Sequence, residues 1–282
     1  MSSKADLHIH TTCSDGRMAP EDVVMVAAAR NLKACSITDH DTIEGYVQAK
    51  KRADELEIEI IPGVEITSAF EDREAHILAY YFDVESPQLN KMLIRQKVSR
   101  RERIKGIINT LISNGIDIDY DEVRAVANGA NIGRPHVANV LVRKGYVGNY
   151  FEAFSRYLSS DRLGEIEQSY PSYQDVIKIV KEAGGACILA HPGKLYSQQE
   201  LQLFISSGID GLECIHPSHN FTLQKMLTEL VTKNALLLTG GSDFHGTVDR
   251  AYVHLGVVTV AEKHVDKMKR MTDQRKKIID IK

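Results

Sequence analysis

A chain of 282 residues with 43% hydrophobic and 26% charged positions has enough apolar material for a substantial core and the make-up of an ordinary globular protein. Its formal net charge of -3 argues against a generally basic nucleic-acid coat protein, though not against a local basic patch, and no apolar run approaches the roughly 18 residues of a membrane span. The N-terminus has no apolar signal-like segment, and four scattered cysteines (Cys13, Cys35, Cys187, Cys214) form no Cys-x-x-Cys pair, so a cytoplasmic protein with reduced thiols is expected.

Ala5–His8 reads as a short strand. A helix is expected from about Pro20, where proline suits the first turn and Glu21 and Asp22 meet the positive end of the helix dipole. Strand Lys33–Thr38, helix Thr42–Leu56 and strands Glu59–Ile61 and Ala75–Phe82 follow. Such alternation predicts βα units and a parallel sheet or barrel. The rhythm then changes. Gln88 to about Ile112 is a long helical stretch, with further helices at Tyr120–Ala127, Pro135–Arg143 and Tyr150–Leu158 and no convincing strand from about 88 to 170, so a helical insertion is expected there. Beyond Pro171 the α/β rhythm resumes: Ser172 caps a helix that Gly184-Gly185 stops. Strand Ala186–Ala190, a helix from about Gln198, strand Gly211–Ile215, a helix around Leu223–Thr232, and strands Ala235–Thr239 and Leu255–Val258 complete the pattern.

The polar clusters fall mostly at strand ends, where barrels of parallel strands gather functional groups. Asp6-Leu7-His8-Ile9-His10 closes the first strand, with His8 and His10 on one face. Asp15 lies in the next loop, Thr38-Asp39-His40-Asp41 closes the second strand, Glu65 follows Pro62-Gly63-Val64, and His76 opens a strand. Ala190-His191-Pro192 and Ser242-Asp243-Phe244-His245 carry the pattern into the second half. A single histidine at a strand end is ordinarily a hydrogen-bonded loop residue, and His-x-His or Asp-His-Asp alone is a weak signal. Six of the eleven histidines at strand boundaries, each near an acid, jointly favour metal binding. Imidazole and carboxylate donors suit Zn, Mn or Fe. His8, His10, Asp15, His40, Glu65, His76, His191, Asp243 and His245 are too many for one ion and sensible for two or three that share a bridging carboxylate. Clustered cations of this kind serve hydrolysis of phosphate esters.

Asp-Leu-His-Ile-His-Thr, Thr-Asp-His-Asp, Pro-Gly-Val-Glu-Ile-Thr, His-Ile-Leu, Ala-His-Pro-Gly and Ser-Asp-Phe-His resemble, in order and over nearly the whole chain, the motifs of the PHP (polymerase and histidinol phosphatase) phosphoesterases. The resemblance is closest to the TrpH-like subgroup, which carries a helical insertion between the fourth and fifth motifs. It implies an α/β fold, a distorted (β/α)7 TIM-like barrel formed by residues 1–98 and 171–282, with a small helical insertion at 99–170 for substrate recognition. It further implies a trinuclear site: His8, His10, Glu65 and Asp243 on one ion, Asp15, His40 and His245 on a second, and Glu65, His76 and His191 on the third. Asp6, Asp39 and Asp41 would orient the histidines from behind.

Gly133-Arg134-Pro135-His136 lies in the insertion, and the subgroup has a similar motif, so Arg134 and His136 are expected phosphate contacts. Lys194 and His219 are further candidates for the substrate side, while His216 is a weaker one. The run Lys91, Arg95, Lys97, Arg100, Arg101, Arg103, Lys105 is ordinarily a solvated face, yet within the insertion it could steer nucleotides or short RNA. No aromatics interleave it, so no base-stacking platform is indicated there. The resemblance implies a phosphoesterase acting on 3',5'-nucleoside bisphosphates or the 5' ends of short RNA, through metal-activated hydroxide, with no obligatory protein partner. The alternatives are a histidinol-phosphate phosphatase and a non-catalytic metal-binding module.

Overall fold

A computed structural model describes residues 4–163, 170–193, 195–246 and 254–281. The first half contributes strands β1 (Lys4–Ile9), β2 (Ala34–Ile37), β3 (Glu59–Ile60), β4 (Gly63–Phe70) and β5 (Arg73–Tyr80), with helices α1 (Pro20–Ala29) and α2 (Glu44–Glu55) between the first three. Helices α3 (Pro87–Ser113), α4 (Tyr120–Ala127), α5 (Arg134–Arg143), α6 (Tyr150–Ala153) and α7 (Ser160–Leu163) come next, with a π-helical turn at Phe154–Leu158. Then follow α8 (Tyr173–Glu182), β6 (Ala186–Leu189), α9 (Gln198–Ser206), β7 (Gly211–Ile215), α10 (Phe221–Lys233), β8 (Leu237–Gly240), β9 (Val260–Ala261) and α11 (Glu262–Ile279).

The fold is mixed α/β. One sheet runs β3-β2-β1-β9 and the other β4-β5-β6-β7-β8. Single bridges, Ile9 with Phe244 and His40 with Glu65, join residues of the two sheets beyond the strand ends. The expected parallel pairings hold for β1–β2, β2–β3, β6–β7 and β7–β8. The exceptions are the middle of the chain, where β4 and β5 form an antiparallel pair and β5 also runs antiparallel to β6, and the edge strand β9, which runs antiparallel to β1. β4 escaped the sequence reading because its residues are buried almost throughout, so no alternation marks it. Residues 255–258, expected as a strand, form a turn, and the short edge strand β9 lies two residues later. Helix α11 was not foreseen either. Arg275 on it grips Asp210 with both arms, at 2.9 and 2.8 Å, and Met268 and Val265 bury its apolar face against the sheets.

Helix α3 is continuous across the 98/99 boundary expected from sequence. Its first half packs Leu89, Met92 and Leu93 into the core that holds β4–β7. Its second half turns Ile104, Ile107, Ile108 and Leu111 into a separate apolar cluster with Val123, Val137, Leu141 and Leu158. The helical segment therefore carries its own core. The stretch expected as one helix at 150–158 is α6 continued by the π-helical turn.

Candidate metal centre

Loops following β1, β2, β6 and β8 meet β4 and β5 at one cavity of about 580 Å³, within the range of small-molecule sites. Two of its residues, His191 and Asp243, hold φ angles of 25° and 49°, a left-handed conformation that costs a non-glycine residue about 1–3 kcal/mol. Such strain persists where surrounding contacts fix a side chain for function. Gly241 shows how tightly the loops pack, since a Cβ there would lie 2.3 Å from the backbone nitrogen of His8.

Glu65 is the hub. Its Oε2 lies 3.3 Å from His8 Nε2, 3.2 Å from His10 Nε2 and 3.3 Å from His40 Nδ1. Its Oε1 lies 2.8 Å from His76 Nδ1 and 2.9 Å from His191 Nε2. Asp243 Oδ1 stands 3.5 Å from His8 Nε2, 3.3 Å from His10 Nε2 and 3.5 Å from His245 Nδ1. Asp15 reaches His245 at 3.4 Å, His10 at 3.6 Å and His40 at 3.9 Å. All nine residues singled out as ligands are thus brought together.

The spacing is informative. In a tetrahedral site with metal–ligand distances of about 2.0–2.2 Å, neighbouring ligand atoms are separated by about 3.3–3.6 Å. His8 Nε2, His10 Nε2, Glu65 Oε2 and Asp243 Oδ1 stand 3.2–3.5 Å apart along five of the six edges of such a figure. His10, Asp15, His40 and His245 form a second group whose ligand atoms lie within 4.8 Å of one another, and His40, Glu65 and His76 form a third.

Charge tells the same story. Burial would raise the Glu65 carboxyl pKa, but the imidazoles of His40, His76 and His8 hold it well below its usual range. Burial likewise opposes ionisation of Asp15 and Asp243, and His245 leads the groups that bring both well down. Burial disfavours a charged His10, yet hydrogen bonds to Asp243 and Glu65 push its pKa up to about 10. The carboxylates therefore call for positive charge at their centre, which protons supply when nothing else does and divalent cations supply better. His40 is open to coordination: burial first lowers its imidazole pKa, against the pull of Glu65 and Asp15, and its Nδ1 has no aligned hydrogen-bond partner among the described residues. The donor set fits a cluster of divalent ions.

The groups behind the cluster differ from those expected. Asp6 accepts from the backbone of Ser242 and Gly256, at 2.9 and 2.7 Å. Asp39 accepts from Thr11 and Ser14, and Asp41 from Thr67, Gln96 and Arg100. These aspartates pin the loops that carry the histidines and make no hydrogen bond to an imidazole among the described residues. A side chain that does orient an imidazole is Glu213, which the sequence reading missed. Fully buried in β7, it holds His8 Nδ1 at 2.9 Å with one oxygen and accepts from the His191 backbone N–H at 2.7 Å with the other. A charged residue inside the apolar strand Gly-Leu-Glu-Cys-Ile was the available signal. His216 lines the cavity with its Nε2 3.4 Å from Asp243 Oδ2, closer to the centre than its sequence context suggested.

On the substrate side Arg134 lines the cavity, 3.3 Å from Glu74, with its guanidinium 5.8 Å from the centre of the Phe154 ring. Arg100 and Arg103, from the basic run, line it too: Arg100 is held by Asp41 and Thr67, and Arg103 by Glu74 and Tyr170. His136 is turned inward instead. Its Nδ1 accepts from the Gly133 N–H at 3.0 Å, so it shapes the start of α5 and does not line the cavity. His219 is likewise occupied by backbone, with Cys214 O at 3.0 Å and Gly193 N at 3.0 Å, and it supports the 191–193 turn. Lys194 lies outside the described residues. Asn131 ties the insertion to the centre, its side chain donating to His40 O at 2.7 Å and its backbone N–H to Cys13 O at 2.8 Å.

Histidine- and carboxylate-rich loops at one end of such an α/β fold define a metal-centred hydrolase scaffold, and the match to known proteins names it. The PHP domain family matches residues 6–282, and the chain belongs to that family. A 5'-3' exoribonuclease of Haemophilus influenzae is 35% identical over 87% of this chain and 91% of its own. A phosphoribosyl 1,2-cyclic phosphate 1,2-diphosphodiesterase of Eggerthella lenta is 28% identical over 89% and 97%, and a 3',5'-nucleoside bisphosphate phosphatase of Chromobacterium violaceum 29% identical over 85% and 86%. Among solved structures, one described as a metal-dependent phosphoesterase from Bifidobacterium adolescentis superposes with a TM-score of 0.86 at 31% identity, covering 95% of this chain and 96% of that one. No helix among the described residues is long and apolar enough to cross a membrane.

Proposed function

We propose that this chain is a metal-dependent phosphoesterase that removes phosphate from nucleotide-like monoesters, with 3',5'-nucleoside bisphosphates or the 5' ends of short RNA as substrates. The observation that carries the reading is the convergence of His8, His10, Glu65 and Asp243, whose ligand atoms stand 3.2–3.5 Å apart along five of their six edges, in the same cavity as Arg134. Asp15, His40 and His245 would hold a second ion and Glu65, His76 and His191 a third, with Glu65 shared. Mn²⁺, Fe²⁺ and Zn²⁺ all suit this donor set. The same reading takes the two sheets as one distorted (β/α)7 barrel, which the bridges Ile9–Phe244 and His40–Glu65 support, with residues 99–170 as the recognition insertion. Four free, buried thiols suit a cytoplasmic setting.

Bound divalent cations supply an activated water near neutral pH and neutralise charge building on phosphate oxygens. The chain's own residues do the rest. Arg134 presents a planar fork that can grip two phosphate oxygens at once, and Glu74 aims it by sharing an ion pair. Glu213 fixes the His8 ring so that Nε2 faces the centre. Buried Ile104 and Ile132 on the cavity wall keep bulk water from one side of the phosphate.

The test is phosphate release with added Mn²⁺ from adenosine 3',5'-bisphosphate, 5'-AMP, histidinol phosphate, phosphoribosyl 1,2-cyclic phosphate and a short 5'-phosphorylated RNA. Preference for the bisphosphate or RNA, lost in Glu65→Gln and Asp243→Asn, is expected. Full activity in both variants, or no release from any substrate by metal-loaded protein, would defeat the reading.

A further inference from the structure

The basic helix offers no surface for bases, but the cavity has one elsewhere. Tyr150 and Phe154 both line it, their rings 4.8 Å apart and inclined by 36°. The Arg134 guanidinium lies 5.8 Å from the centre of the same Phe154 ring, so guanidinium, phenyl and phenol neighbour one another on the insertion's side of the cavity. The local fold builds that grouping. Asn149 caps α6 by accepting from the Glu152 N–H at 2.9 Å, and the helix then widens into the π-helical turn that starts at Phe154. Local π-helical turns are rare and are frequently found at functional sites. From the sheet side, Leu195 and Leu223 add aliphatic surface to the same cavity, and Leu195 is 58% exposed. A phosphate-binding centre needs none of this apolar and aromatic surface, whereas a flat heteroaromatic ring joined to the phosphate by a sugar does.

We propose that Tyr150 and Phe154 form a nucleobase subsite, on which the base of the substrate stacks while its phosphate reaches the metal centre. The inference rests on the phosphoesterase reading and sharpens it, because it separates base-bearing substrates from base-free sugar phosphates. Stacking of one base on an aromatic side chain is worth about a 5- to 150-fold change in affinity. The stack is tolerant of base identity, so purine and pyrimidine nucleotides bind within a few-fold of each other.

The experiment uses the full chain loaded with Mn²⁺ and two non-hydrolysable phosphonates, the analogues of 5'-AMP and of ribose 5-phosphate, titrated by calorimetry. The adenosine compound should bind at least about five-fold more tightly. In Phe154→Leu and Tyr150→Leu, which keep apolar volume but remove a ring, that ratio should fall toward one. Equal affinities in the unaltered protein would overturn the proposal even if the variants fail to fold, and so would a ratio that survives in folded variants. A preserved base preference with no hydrolysis of any phosphoester would instead leave the subsite standing and sink the phosphoesterase reading.

Discussion

Glu213 offers a sharp test of how the centre is organised. Its two oxygens accept two hydrogens, one from His8 Nδ1 at 2.9 Å and one from the His191 backbone at 2.7 Å. Glu213→Gln keeps the shape but leaves one acceptor for two donors, so an amide NH₂ must face either the imidazole N–H or the backbone N–H. His8 then loses its tautomer control, or the turn carrying His191 shifts. Burial opposes ionisation of Glu213, yet His8 and His216 hold its carboxyl below the usual range, so the carboxylate is the form lost. Loss of such a supporting partner typically weakens metal affinity about 10- to 100-fold, or about 1.4–2.7 kcal/mol. Equilibrium dialysis against graded Zn²⁺ or Mn²⁺, followed by metal quantitation, reads this directly, with circular dichroism to establish that the variant is folded. A folded Glu213→Gln protein with affinity within two-fold of the parent would refute the assignment of Glu213 as the group that orients His8.

Chelation should lower the melting temperature, since ions bind only the folded cluster; at a hundred-fold excess over Kd each site adds about 2.7 kcal/mol, and a melting point indifferent to EDTA and to re-added Mn²⁺ would contradict the metal reading. Arg134→Lys should raise KM for a nucleotide monoester by about ten-fold with a smaller change in kcat, because a point charge replaces a bidentate fork; steady-state kinetics with unchanged KM would remove Arg134 from phosphate recognition. Leu141→Ala, at a fully buried position in the insertion's own core, should cost about 2–5 kcal/mol, read by urea denaturation, and a cost under 1 kcal/mol would mean that this cluster is loosely packed. Arg275→Met should cost about 1–3 kcal/mol by releasing α11 from Asp210, discounted from a fully buried pair because the Arg275 side chain is 20% exposed; denaturation midpoints matching the parent would show that the pair contributes nothing.

The site was far more legible than its supports. Metal-type ligands announce themselves because His and Asp at the ends of apolar strands have few bland explanations, and eight such residues gather with Glu65 in one cluster, five of the imidazoles directly beside it. Supporting residues leave weaker traces. Glu213 sits mid-strand, where only its charge is out of place, and Asp39 and Asp41 look like partners of His40 although they face backbone and hydroxyl groups and, for Asp41, Gln96 and Arg100. His136 and His219 illustrate the converse, because a family-like motif suggested substrate contact and each ring is held by backbone groups, His136 by Gly133 and His219 by Gly193 and Cys214. In the fold, strands in βα alternation were readable by period. β4 was not, since burial on both faces erases the pattern, and the boundary of the insertion is blurred because α3 serves two cores with one unbroken helix.

Asn131 gives the insertion a mechanical hold on the catalytic end, through one bond to the carbonyl of His40 and one to that of Cys13, two residues before Asp15. Any strain on the loop around it is thereby shared with two segments that carry candidate ligands. Reciprocity then applies: if a nucleotide settling on the insertion tightens the grip on an ion by some factor, the ion must tighten the grip on the nucleotide by that same factor. The protein would in effect gauge its own metal loading each time it meets a substrate. A base-bearing phosphonate titrated at low and saturating Mn²⁺ should show this coupling, and it should weaken in Asn131→Ala; equal dependence on Mn²⁺ in both proteins would mean that the coupling does not run through Asn131.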